Sequence, residues 1–319
     1  MKKRSSLSHV ALVTGTAVLS FMLLSGCRGA EEKANETIES STQNFIDATT
    51  ESTKNFIEST TQAVAGAVNQ AQEAAVTSVG MPAKNLVSLK LETASPVGKM
   101  TELVIDHEVG DIEIVAGKGD QIKVTAEVVA QDRKSTSEKL TKVFEQAEVS
   151  IQKDGNQAHI LTHAKDDPKR SLWDWGQSTY NYSEFGINYT IELPADIITA
   201  YQVSNNVGDV SLNGLSGTFR LNNEVGEVDL VSAGFTGASK IKVSTGSVKL
   251  DIDSLDKKGT LEVNTAIGDI QVDLDESVDC SIDTKIALGD LTSTLNKSRK
   301  GNGDSPISLS VDVGSIDLN

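Results

Sequence analysis

The sequence predicts a mainly β chain: a parallel β-solenoid of about 20-residue coils, with an inserted helix and hairpin cap, preceded by an amphipathic helix of 11-residue repeats. Three observations predict it. Glycines recur at positions 110, 208, 226, 246, 268, 289 and 314, each flanked by the same alternation of apolar and polar residues. Aromatic residues make up only 4% of the chain, so a core must be built from aliphatic side chains, which suits stacked repeats. Between residues 33 and 76 the period changes to eleven, which is a helical spacing.

At the N-terminus, Lys2, Lys3 and Arg4 precede an apolar run from Val10 to Leu24, too short to span a bilayer comfortably. The run closes on Leu24-Ser25-Gly26 and then Cys27. This segment resembles a bacterial lipoprotein signal. The resemblance implies removal of residues 1–26, acylation of the Cys27 thiol, as with palmitate, and Cys27 as the first mature residue. It also implies a protein on the cell membrane, lipid-anchored and facing the extracytoplasmic side. Two or more acyl chains hold a protein on a bilayer where one would not.

Residues 27–80 hold the lipid-bearing cysteine and a stalk. KANETIESSTQ, NFIDATTESTK, NFIESTTQAVA and GAVNQAQEAAV are four consecutive 11-mers. At 100° per residue, Ile38, Phe45, Ile46, Phe56, Ile57, Val64 and Val68 fall in one stripe. Eleven residues in three turns give about 3.67 per turn, so a coiled coil of such helices would wind right-handed. Two arrangements fit: a spacer or self-associating stalk, and a helix lying on the membrane. Only Lys33 and Lys54 are basic among many acidic residues, and surface-lying helices carry the opposite bias.

Residues 81–319 form the β region. In each unit the residue five before the glycine is Ile105, Val203, Leu221, Ile241, Val263, Thr284 or Leu309. Two after the glycine stands Ile112, Val210, Val228, Val248, Ile270, Leu291 or Ile316. Each unit is thus two alternating strands bent at a glycine, with one apolar face that a single unit cannot bury alone. The glycine is expected at a corner needing positive φ. An insertion at about 131–200 interrupts the repeats. Within it, residues 135–146 read as a helix, and strands 148–151 and 157–161 as a hairpin around Asp154-Gly155-Asn156. A loop with Trp173, Trp175, Tyr180, Tyr182 and Phe185 follows, then a strand ending at Pro194.

The recurring Gly110-Asp111-Ile112, Gly208-Asp209-Val210 and Gly268-Asp269-Ile270 units, with Tyr189-Thr190-Ile191-Glu192-Leu193-Pro194, resemble a bacterial family of adhesin-type β-strand-repeat domains of unknown function. The resemblance covers roughly 85–319 and implies a parallel β-solenoid displayed outside the membrane. Some members of that family resemble parts of envelope-stress systems. A fold does not fix a function.

The formal charge is −16, and residues 1–26 carry three basic and no acidic residues, so the remainder is more acidic still. That excludes nucleic acid as an electrostatic partner. With Cys27 lipidated, Cys280 is alone and is expected to be a buried, inert thiol. No hydrolase, zinc-protease, phosphate-loop or C-x-x-C motif occurs, so no catalytic residue, cofactor or metal is expected. His159 and His163 share a strand face without a third ligand nearby, and His107, Asn205 and Asn223 share an inward register expected to form a polar ladder. Sequential stacking would place Asp209 beside Glu227 and Asp269 beside Asp290, each carboxylate capping its own corner or, alternatively, sharing a cation.

Trp173, Trp175, Tyr180 and Tyr182 are the candidate binding residues, and the competing role for them is to plug an open end of the stack. The expected function is non-enzymatic binding or scaffolding, adhesin-like, with a cell-wall glycan or envelope protein as partner. The alternative is a stress-sensing or regulatory module acting through the stalk. Self-association is expected through the stalk or through the C-terminal solenoid edge.

Overall fold

Alternating apolar residues separated by glycine corners give strands that are buried on one face, and such strands stack in two hydrogen-bonded ladders. The computed structural model describes residues 86–319, apart from residues 258, 296–298, 301, 302 and 304. The described region is mainly β. In chain order its strands are β1 (Leu86–Pro96), β2 (Glu102–Val109), β3 (Ile112–Gly117), β4 (Gln121–Gln131), β5 (Ala147–Asp154), β6 (Gln157–Ala164) and β7 (Asp167–Ser171). Then come β8 (Phe185–Pro194), β9 (Ala200–Val207), β10 (Val210–Asn213), β11 (Ser216–Val225), β12 (Val228–Phe235), β13 (Ala238–Thr245) and β14 (Val248–Leu255). The last are β15 (Thr260–Ile267), β16 (Ile270–Leu274), β17 (Cys280–Leu288), β18 (Leu291–Ser293), β19 (Arg299–Lys300), β20 (Ser305–Val313) and β21 (Ile316–Leu318). Helix α1 spans Ser137–Gln146 and α2 spans Leu172–Tyr180.

Strands on either side of a corner glycine go to different ladders and make one rung. In the first ladder β8, β3, β10, β12, β14, β16, β21 and β18 pair in parallel in that order. In the second, β6, β2, β9, β11, β13, β15, β20 and β17 do the same. Register is kept residue on residue, apart from shifts between Leu230 and Gly234 where β12 meets β14. Ile112, Val210, Val228, Val248, Ile270 and Ile316 lie one on the next, and so do Ile105, Val203, Leu221, Ile241, Val263 and Leu309. All are buried. Each contributes about 1.5–3 kcal/mol of burial.

The order of rungs departs from chain order at both ends. Strands β20 and β21 lie between β15–β16 and β17–β18, so residues 305–319 fill an interior rung. The outermost rung is 280–293, and the expectation that the last repeat forms the edge is corrected. At the other end β6 and β8, both from the insertion, stack outside β2 and β3. Strand β8 sits between β3 and β4, parallel to one and antiparallel to the other. The insertion therefore supplies a rung as well as a cap.

The cap consists of β1 and β4 extending the first ladder antiparallel, the β5–β6 hairpin turning at Gly155, and the two helices. Helix α1 buries Leu140 and Val143, three apart on one face. The aromatic segment is a helix and not a loop. Its Ser171 side chain accepts a hydrogen bond from the Asp174 amide, 3.1 Å, and Asn181 ends it in the left-handed conformation.

Candidate functional site

Corner glycines and the residues after them carry the one motif repeated through the whole stack. Gly110, Gly208, Gly226, Gly246, Gly268, Gly289 and Gly314 all have φ between 128° and 144°. A Cβ on Gly226 would overlap the Gly208 carbonyl, and one on Gly246 would overlap that of Gly226. Glycine is thus required twice over, by backbone conformation and by contact with the rung before.

The aspartates after Gly110, Gly208 and Gly268 link adjacent rungs. Asn188 Oδ1 accepts from the Asp111 amide at 3.1 Å, Asp111 Oδ1 from Asp209 at 3.0 Å, and Asp209 Oδ1 from Glu227 at 2.7 Å. Asp269 Oδ1 accepts from the Ser315 amide at 2.7 Å. These carboxylates accept from the neighbouring rung, not from their own corner as expected. Asp269 faces Ser315, because the 305–319 rung separates it from Asp290. Glu227 continues the row with side-chain partners, accepting from Ser247 Oγ at 3.2 Å and Lys249 Nζ at 2.8 Å. Burial, with Asp111 and Glu227 nearby, raises the Asp209 pKa above the ordinary carboxylate value, although the Glu227 amide opposes the shift.

The inward polar row is present. His107 Nδ1 lies 2.8 Å from Asn205 Oδ1, and Nε2 lies 2.8 Å from the Ile187 carbonyl. Asn205 Nδ2 donates to the Gly110 and Gly208 carbonyls, and Asn223 Nδ2 donates to Gly208 O at 3.0 Å. Those two carbonyls orient the Asn205 amide, so both imidazole nitrogens face oxygen acceptors. That arrangement favours the protonated ring, but burial has the larger effect and lowers the His107 pKa. Trp173 meets the imidazole edge-on with centroids 5.1 Å apart, and Tyr189 covers it from another side.

The sequence-derived binding residues are mostly interior. Trp173 is 4% exposed, Trp175 3% and Tyr182 2%. The Trp173 indole donates to the Phe185 carbonyl at 3.0 Å and stacks on the Phe185 ring. Trp175 meets Tyr180 edge-on, and Tyr180 is half-buried beneath Lys142. Trp173, Trp175 and Tyr182 therefore pack the cap and present no ring face to a ligand.

His159 and His163 do not converge. His163 Nε2 bonds Ser150 Oγ at 2.9 Å and Nδ1 bonds the Ala164 carbonyl, whereas His159 meets Gln157. Cys280 is buried in β17. Leu24, Ser25, Gly26, Cys27 and the 11-residue repeats lie outside the described residues.

Sequence reasoning missed the outward rows that the register creates. On the second ladder Gln202, Arg220, Lys240 and Glu262 align, with Lys240 donating to Glu262 at 2.8 Å. On the first, Ser211, Asp229, Lys249, Gln271 and Asp317 align. Alternation alone marks these positions as outward, but only the rung order shows which of them adjoin.

No family model and no curated protein matches the chain. Among solved structures it is similar to a "putative cell adhesion protein" from Clostridium sporogenes, at 12% identity and a TM-score of 0.37, covering 73% of this chain and 99% of that one. A "putative adhesin" from Bacteroides fragilis has 18% identity and a TM-score of 0.34, covering 75% and 99%. A "putative lipid binding protein" from Parabacteroides distasonis has 11% identity and a TM-score of 0.22, covering 74% and 98%.

Proposed function

We propose that the chain is a lipid-anchored, extracytoplasmic envelope protein whose β region is a parallel β-solenoid acting by binding or scaffolding, without catalysis. The observation that carries this reading is the residue-on-residue register of the two ladders. It sets outward side chains in fixed rows along the stack. Rows of polar groups on a rigid support suit recognition of an extended or repetitive partner such as a cell-wall glycan or an envelope protein. Leu24-Ser25-Gly26-Cys27 behind three basic residues supports the anchor and the compartment.

The test is retention of isolated cell wall, membrane protein or a glycan panel by the full-length chain. Two variants replace Gln202, Arg220, Lys240 and Glu262, or Asp229, Lys249, Gln271 and Asp317, by alanine. Retention by the wild type that is lost in one variant supports the reading and identifies the face. No retention of any of the three, or retention unchanged in both variants, contradicts it.

A further inference from the structure

The two ends of the stack are finished differently. One carries α1, α2 and the antiparallel strands β1, β4 and β5, of which β1 and β5 each pair with a single strand among the described residues. At the other, β17 pairs with β20 on one side, and on its outer side β19 covers only Cys280 and Ser281. From Ile282 onward, β17 has no strand on its outer edge among the described residues, and β18 has none beyond β21. The apolar row confirms where the core stops. Val228, Val248, Ile270 and Ile316 are fully buried, while Leu291, the next in register, is 50% exposed. An unpaired edge with an uncovered apolar row is a surface for strand pairing.

We propose that this end is a self-recognition surface, where β17 of one copy pairs antiparallel with β17 of a second copy about a two-fold axis at Thr284. The charge order on the strand carries the choice of occupant. Asp283 and Lys285 flank Thr284 on the outward face, and Ile282 and Ile286 flank it on the inward face. An antiparallel pairing centred on Thr284 sets Asp283 opposite Lys285 of the other copy, twice, and Ile282 opposite Ile286, twice. Centring on Lys285 would oppose lysine to lysine. In this register Ala287 and Leu288 of one copy lie opposite Ser281 and Cys280 of the other, so the two-residue β19 leaves that edge when the copies pair. The two-fold axis stands normal to the second ladder at Thr284. A two-fold pairing uses this edge once in each copy, so the assembly closes as a dimer. This inference goes beyond the proposed function and does not depend on the lipid anchor or on any ligand.

The experiment uses the full-length chain extracted in mild detergent and followed by sedimentation velocity. The wild type sediments as a concentration-dependent dimer. Asp283→Lys alone and Lys285→Asp alone each weaken association about tenfold or more, and the double reversal restores it. In a Cys280→Ser background, Thr284→Cys gives a symmetric disulfide-linked dimer on mild oxidation. A wild type that stays monomeric, single reversals that leave the dimer intact, or a double reversal that fails to restore it overturns the proposal. So does a Thr284→Cys variant that forms no covalent dimer. Capture of a different protein at this edge by a monomeric chain counts as the first of these.

Discussion

At the scale of the residue, the repeated Gly-Asp-Ile/Val unit divides its work among three positions. Glycine allows contact between rungs, Asp accepts the next rung's amide, and the apolar residue enters the core. Gly246→Ala is expected to cost about 2–5 kcal/mol, since it adds backbone strain to overlap with the Gly226 carbonyl. Gly119→Ala also has positive φ but meets nothing within 4 Å, so it should cost only about 1 kcal/mol. Urea denaturation midpoints of the two variants check the difference. His107 gives a pH dependence of definite sign. Its pKa in the folded chain lies below the ordinary value of 6.5, mainly through burial. As pH falls through 6.5 the unfolded chain takes up the proton first, so stability is full above that pH and declines below it until the folded pKa is reached. The decline is at most about 1.4 kcal/mol per pH unit. His107→Asn should flatten this part of the profile in urea titrations between neutral and mildly acid pH. An unchanged slope would remove His107 from the account.

At the scale of the element, the strands and their inward residues were legible because alternation and the corner glycines are local signals. Helix α1 and the β5–β6 hairpin were legible for the same reason, through periodicity and the turn at Asp154-Gly155-Asn156. Helix α2 was not, because it is only nine residues long and contains Gly176, Ser178 and Thr179, which are poor helix formers. The signal that could have found it is Ser171 three residues before Asp174, an N-cap pattern that the structure realises. In the helix Trp173 faces the stack, meeting His107, while Trp175, two residues on, packs against Tyr180 on another face. Rung order was illegible for a different reason. Every unit offers the same donors, acceptors and apolar row, so spacing along the chain does not say which unit lies on which. Leu309 illustrates the consequence. It belongs to the last repeat in sequence, yet it is fully buried between Val263 and Thr284. Leu309→Asp is therefore expected to unfold or severely destabilise the chain, by about 4 kcal/mol or more. Leu291→Asp, on the outermost rung, should stay within about 1 kcal/mol of the wild type. Thermal melting of both variants checks the order of rungs, and equal tolerance at the two sites would contradict it.

At the scale of the whole molecule, the proposed anchor at Cys27 and the mainly β stack belong to one chain. Its acidic surface keeps neighbouring molecules apart, and the ladders hold outward rows in fixed register, so specific contacts must come from those rows or from the open end. The central claim is that this stack is held at the membrane by lipid on Cys27 and displayed outside the cytoplasm. The most direct measurement is metabolic labelling with a tagged palmitate in a bacterial host, comparing wild type with Cys27→Ser and separating membrane from soluble material. Lipidation at Cys27 gives label on the wild type and loss of both the label and the membrane association in Cys27→Ser. An unlabelled wild type, or a Cys27→Ser chain that keeps its label, would contradict it.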